Sequence, residues 1–439
     1  MRVKPIFVFS RGAGLFVESS GALNMIVDRD ETQSRTEKLL NELKAELGDN
    51  VTVLDALHVG TPDGFEPVFS NQHEIDVLLV YFLGVTPIEP LLNWPGPIIA
   101  FSGRHTPAFA LYALGDERGT RTNISIALDY EDIRKRLKAI EVKKKLAKTK
   151  TVLFGSPPSW WYLRWYAWPD LEHIRRTTGI QFISVELREL IETTSQVDQK
   201  EVVSLAEKWL REAHEVQGPN QEDLEQSAAV YLAMSQILSR HNASAMAMNC
   251  LEITQSPKFA GRITNPCLAM SYLRDEGIPS ACETDVAALI TMMLLGHLSR
   301  KAAFMGNIVR ADPETSVIKL SHCILPTKMQ GLDQTPLPYG LRDFHGTQKG
   351  VTAFTYVPPG IKITLARIQR NLERIVALSG EVLGCEDTAF CRNTLTLEID
   401  DAREFVQQAE GNHHVLVFGD YLNELEALCI ELGCRFHTV

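Results

Sequence analysis

The stretch Ala281-Cys282-Glu283-Thr284-Asp285-Val286-Ala287-Ala288-Leu289 divides the chain into two patterns. It leaves an apolar segment, passes two acids and enters an apolar helix over Val286 to Leu298. On its N-terminal side short apolar runs alternate with helical patterns. From about residue 303 helical periodicity gives way to short β-rich runs separated by glycine, proline and acidic turns. Strands alternating with helices imply a parallel sheet covered on both faces, whereas short strands between turns imply an antiparallel sheet or barrel. The expected fold is α/β: two Rossmann-like parallel α/β domains over 1–150 and 151–280, then a mostly antiparallel, barrel-like β domain over 281–439. At 439 residues the chain exceeds what one hydrophobic core usually supports, in keeping with that division.

Working outward, the first domain has strand patterns at Ile6–Phe9, Val51–Leu54, Val77–Phe82 and Ile98–Phe101, with a helix from about Thr32 to Leu47. Ligands of parallel sheets gather at the C-terminal ends of strands. Two arginines fall there, Arg11 in Ser10-Arg11-Gly12-Ala13-Gly14 and Arg104 in Ser102-Gly103-Arg104-His105. The glycines near Arg11 form no G-x-G-x-x-G and carry no Walker lysine, which argues against a nucleotide site. In the second domain Thr151-Val152-Leu153-Phe154-Gly155 and Ile180–Val185 read as strands. Helices follow from the N-cap Asp198 to Glu215 and from Gln221 to Arg240, and Ala243–Cys250 reads as a strand presenting Glu252. The cluster at Trp160 either stacks on a sugar face or packs between domains. Later strand patterns are Val317–Leu320, Val351–Tyr356, Lys362–Ile368, Leu395–Ile399 and His414–Phe418, closed by a helix from Tyr421 to Leu432.

The formal charge of −11 argues against a nucleic-acid partner, which would need concentrated Lys and Arg. No apolar run approaches the roughly 20 residues needed to cross a bilayer, so no membrane partner is expected. Met1 to Phe9 lacks the apolar region of a signal peptide and reads as a strand. Eight cysteines without CxxC pairing suit reduced thiols in a cytoplasmic protein.

Glu252, Glu283, Asp285 and the pair His413-His414 supply carboxylates and imidazoles, the donor set for a hard-to-borderline divalent cation such as Mn²⁺. Taken alone, Glu283 and Asp285 are equally well explained as helix capping, since an acid in a first turn complements the dipole. Both acids can serve one site only if the chain is still extended at Glu283. His413 and His414 face opposite sides of a strand, so one of them at most is an easy ligand. His322, in Ser321-His322-Cys323, closes another strand of the same domain.

Several segments taken in order resemble the L-fucose isomerase and L-arabinose isomerase superfamily, in its branch of shorter fucose isomerase-like proteins. They are Asn265-Pro266-Cys267-Leu268, Asp275-Glu276-Gly277-Ile278-Pro279, Ala281 to Val286, Leu320-Ser321-His322-Cys323, Ile363-Thr364-Leu365-Ala366-Arg367 and Gly411-Asn412-His413-His414 before Gly419-Asp420. The resemblance implies two α/β domains ahead of a β domain, and a divalent metal, usually manganese, on two acids and one or two histidines. It puts the acids on Glu252 and on Glu283 or Asp285, and the histidine on His413 or His414. No histidine follows in Gly306-Asn307-Ile308-Val309-Arg310, so the fucose-type set of two acids and one histidine fits better than the arabinose type. The resemblance also implies a homo-oligomer, trimer or hexamer, with sites near subunit interfaces.

Such a family interconverts an aldose and a ketose through an enediolate, one carboxylate removing the carbon-bound proton and a second group returning it. Glu252 and Asp285 are the expected ligand and acid/base pair. His322 and Asn412 are expected to bind an open-chain sugar. The branch includes isomerases of sulfoquinovose, whose sulfonate would need an arginine clamp from Arg11, Arg104 or Arg392. Two other readings remain at this stage: a non-catalytic sugar-binding or regulatory protein on the same fold, and a metal-dependent lyase or aldolase.

Overall fold

The structure, a computed structural model, describes residues 1–8, 29–48, 50–60, 62–82, 89–101, 123–157, 165, 167–256, 258–259 and 261–439. Its contacts divide the chain into two compact units, Met1–Glu141 with Ile430–Gly433, and Val142–Cys429 with Cys434–Val439.

In the first unit, β1 (Arg2–Val8), β2 (Thr52–Val53), β3 (Leu57–Val59), β4 (Val77–Phe82), β5 (Ile98–Phe101) and β6 (Ile124–Ala127) form a parallel sheet in the order β2-β1-β4-β5-β6, with β3 also on β1. Alternate residues feed two separate cores. Ile6, Val8, Leu78 and Val80 pack on one face, and Val3, Phe7, Leu79 and Tyr81 on the other. That two-sided burial is why these strands read as continuous apolar runs. Arg11 and Arg104 lie outside the described residues.

The second unit opens with β7 (Lys150–Phe154), β8 (Gln181–Val185), β9 (Glu215–Gln217), β10 (Ala245–Met248) and β11 (Ser280–Ala281). Four of them form a parallel sheet in the order β11-β10-β7-β8. Asp198 caps its helix as expected, its carboxylate accepting from Lys200 N at 2.8 Å. The helix stops at Glu212, however, and the next residues become β9. Trp160 lies outside the described residues.

The β-rich region comprises β12 (Phe304–Asp312), β13 (Val317–His322), β14 (Tyr339–Arg342), β15 (Thr352–Thr355), β16 (Lys362–Ile368), β17 (Arg374–Glu386), β18 (Asn393–Ile399), β19 (His413–Phe418) and β20 (Arg435–Thr438). Antiparallel pairing runs β16-β19-β12-β13-β18-β17 and returns from β17 to β16, which closes a six-stranded barrel. Phe304, Leu320, Leu365, Leu378, Leu395 and Leu416 pack inside it. β20 adds to β17 in parallel, and β14, β15 and β9 make a small separate sheet. The Val286–Ser299 helix is apolar all round and buried along nearly its whole length, as such a helix must be. Thr291 ties it to the barrel by accepting from Ile368 N at 3.0 Å. Among the described residues no helix is long and apolar enough to cross a membrane.

Candidate active site

Three segments meet at the ends of barrel strands: the turn after β11, the end of β13 and the start of β19. The turn is Cys282–Thr284, and it is not extended. Glu283 (φ 57°) and Thr284 (φ 51°) both adopt the left-handed region that side chains disfavour. Each such residue costs of order 1–3 kcal/mol, and such strain gathers at functional sites. Its effect here is to part the two acids that an extended chain would have aimed together.

Asp285 turns inward and caps the Val286–Ser299 helix, Oδ1 accepting from Ala288 N at 2.8 Å. Arg367, on β16 and fully buried like Asp285, donates Nη1 to Oδ2 at 3.0 Å and Nη2 to Oδ1 at 3.1 Å. Burial pushes the Asp285 carboxyl up, but Arg367 and then His413 outweigh it and hold it below the ordinary value. Asp285, the expected ligand and acid/base, has both oxygens engaged and its side chain fully buried. What Asp285 holds is His413: the Nδ1–Oδ2 distance is 2.9 Å. An ionised carboxylate only accepts, so Nδ1 carries the proton and Nε2 is the atom turned to the site.

His413 Nε2 lies 3.7 Å from Glu283 Oε2, and the His413 and His322 ring centroids are 5.5 Å apart. Glu283, His322 and His413 offer one donor atom each, all within 4.8 Å of one another. His322 Nδ1 is buried and has no hydrogen-bond partner among the described residues. A carboxylate and two imidazoles with a buried, unsatisfied ring nitrogen fit a borderline divalent cation. His322, expected to bind sugar, thus stands within the donor cluster itself.

His414 takes the opposite strand face. Its ring meets Phe405 edge-on at 5.1 Å, and burial lowers its pKa to about 3. Of the two adjacent histidines, His413 is the one whose donor atom falls in the group with Glu283 and His322. Glu252 is not on a strand end: it sits in the short Cys250–Gln255 helix capped by Asn249, its N–H donating to Asn249 Oδ1 at 3.3 Å. It lines a concavity with Gly155, Ser156, Glu186, Arg188 and Lys258 and stands outside the three-donor group. Asn412, just before β19, donates Nδ2 to Asn307 Oδ1 at 2.6 Å. Arg392 is committed to Asp343 and stands 3.5 Å from Asp387, so its guanidinium is already engaged by carboxylates. Arg367 carried no role in the sequence reading. Its signals were its place in the resembling segment Ile363-Thr364-Leu365-Ala366-Arg367 and an arginine ending an apolar run.

The buried imidazoles titrate in opposite senses. Burial would lower the pKa of His413, but Glu283 and Asp285 together push it up to about 9. Burial, then the neighbouring His413, drives His322 well below its ordinary value, and His414 falls to about 3. A raised histidine pKa contributes stability that is complete below the unfolded value near 6.5 and lost as pH climbs to about 9. The depressed histidines act oppositely, costing stability as pH falls below about 6.5. The metal-free protein is therefore expected to be most stable near pH 6.5, as checked by urea denaturation in chelator at pH 5, 6.5 and 9. His413→Gln should flatten the alkaline limb, and it should also soften the acid limb because His413 helps depress His322; an unchanged alkaline limb would refute the assignment.

Among curated proteins the chain is similar to a sulfoquinovose isomerase of Alkalicoccus urumqiensis, 23% identical over 354 residues, spanning 76% of this chain and 72% of that protein. It is similar to the sulfoquinovose isomerase of Priestia megaterium at 22% over 316 residues, 69% of this chain and 66% of that protein. A sulfoquinovose isomerase of Clostridium sp. is 24% identical over 344 residues, 75% of this chain and 74% of that protein. No protein-family model matches the chain.

Proposed function

We propose that this chain, a homologue of the sulfoquinovose isomerases and a relative of the fucose and arabinose isomerase-like proteins, is a metal-dependent aldose–ketose isomerase acting on an open-chain sugar, with sulfoquinovose the leading substrate. The observation that carries the metal-dependent reading is the gathering of Glu283, His322 and His413 donors within 4.8 Å. Glu283, His322 and His413 would hold a divalent cation of the Mn²⁺ type. Such a cation, when bound, supplies Lewis-acid stabilisation of the negative charge that develops on the C1 and C2 oxygens.

The remaining work falls to the chain's own groups. Asp285 orients the His413 ring and keeps its Nδ1–H in place, while Arg367 holds Asp285 and the His413 backbone carbonyl. Of the two acids that the sequence reading left open, Glu283 takes the ligand's place, because its side chain is 19% exposed while that of Asp285 is 0% exposed. Glu252 remains the candidate for carrying the proton between C1 and C2, from the helix adjoining the Cys282–Thr284 turn. A carboxylate positioned for that transfer contributes about 10²–10⁴-fold. Glu252→Gln is expected to keep its metal and lose about 10³-fold in kcat, within the range for a lost general base. Full activity in that variant would remove Glu252 from the mechanism.

The deciding experiment incubates the protein and Mn²⁺ with sulfoquinovose and a panel of aldoses and follows products by ¹³C NMR. A keto isomer supports the reading. Retro-aldol fragments would replace it with a lyase, and unchanged sugars in the presence of bound metal would replace it with a binding protein. The same reading includes assembly as a trimer or hexamer, which sedimentation velocity checks.

A further inference from the structure

A second donor cluster adjoins the first along the chain. β13 ends at His322, and the next residue, Cys323, joins Cys391 and His345 in another set whose donor atoms all lie within 4.8 Å of one another. Cys323 Sγ is 2.8 Å from His345 Nε2 and 3.9 Å from Cys391 Sγ. The imidazole is held in place: its ring stacks on Phe344 at 3.9 Å and on Phe390 at 4.4 Å. His345 itself is left-handed (φ 52°), so the chain accepts backbone strain to present that ring. Both cysteines are buried, whereas His345 is partly exposed and Phe390 is 71% exposed, so one side of the cluster is open to solvent.

We propose that Cys323, Cys391 and His345 form a second cation site, selective for thiophilic ions of the Zn²⁺ class and separate from the oxygen- and nitrogen-lined site at Glu283. Two thiolates bound at about 2.3 Å to a tetrahedral ion stand roughly 3.8 Å apart. The observed sulfur separation of 3.9 Å already matches that edge. Entry of the ion replaces the Cys323–His345 hydrogen bond, and the 2.8 Å contact opens to the sulfur–nitrogen edge of about 3.6 Å expected from the same bond lengths. Each thiol releases its proton to solvent as its sulfur binds. A water completes the four ligands. Soft thiolates select such ions over Mn²⁺, so the two clusters sort two cations by ligand chemistry.

The test uses the full chain, reduced and metal-free, preloaded with one equivalent of Mn²⁺ and titrated with Co²⁺ without oxygen. One further equivalent of Co²⁺ is expected to bring up a thiolate-to-cobalt charge-transfer band in the near ultraviolet, which Zn²⁺ abolishes. Cys391→Ser should lose the band, and His345→Gln, at a partly exposed position, should weaken Co²⁺ binding at least tenfold. Glu283→Gln should keep the band, so the proposal stands or falls independently of the isomerase reading. Absence of the band, an equal band in His345→Gln, or a loss of two mass units signalling a Cys323–Cys391 disulfide in place of bound metal would each overturn it.

Discussion

Glu283→Gln should abolish Mn²⁺ retention and lower isomerase activity by about 10³-fold or more, while Asp285→Asn should leave a measurable fraction of both. A carboxylate lost from a general acid–base or ligand role costs of this order. The asymmetry follows from geometry. Glu283 stands in the donor cluster, 3.7 Å from His413 Nε2 and partly exposed. Asp285 acts one shell out, through the 2.9 Å contact to His413 Nδ1, where changes typically cost about 10–100-fold. An amide at 285 still caps the helix, because asparagine is as good a cap as aspartate. Metal content by atomic emission and initial rates with the converted sugar check both variants. Equal losses in the two, or metal retained in Glu283→Gln, would exchange the roles assigned to these acids.

Arg367→Met should destabilise the protein by about 3–5 kcal/mol, the range for removing one partner of a buried ion pair. Arg367 and Asp285 are both fully buried, so the variant strands a carboxylate beside a single imidazole. The guanidinium also donates to His413 O at 2.7 Å and Glu410 O at 2.5 Å, tying β16 to β19 and to the residues that lead into it. Adding Asp285→Asn should recover part of the loss, because it removes the uncompensated charge while keeping the cap. Urea denaturation of the wild type, the single variant and the double variant decides it. A single-variant cost under about 1 kcal/mol would mean that the pair is not what fixes the carboxylate.

Strands with long, two-sided apolar content were legible in the sequence. β4 and β5 occupy the spans read from it, and β16 does as well. β12 and β17 were not read. β12 carries Arg310 and Asp312 and a register shift between Ile308 and Arg310, and β17 is broken by Gly380, Glu381 and Gly384 with a shift between Val382 and Gly384. Bulges disrupt the period of two on which the reading depends. The short β9 escaped because three residues have no period at all; it exists through parallel pairing with β14.

The order of α/β elements ahead of a β-rich region, the stock of carboxylates and imidazoles, and the rule that adjacent strand residues face opposite ways were all determined by the sequence. Each is local, set by periodicity or by side-chain chemistry. That His413 and not His414 turns to the site, that Glu283 rather than Asp285 reaches the donor cluster, and that His322 joins them were decided by the tertiary structure. So was the pairing of Arg367 with Asp285. His413 and Asp285 are 128 residues apart in the chain, and two left-handed residues, Glu283 and Thr284, set which way each acid points. Contacts between such distant segments depend on how the barrel closes, and a local pattern carries no information about closure.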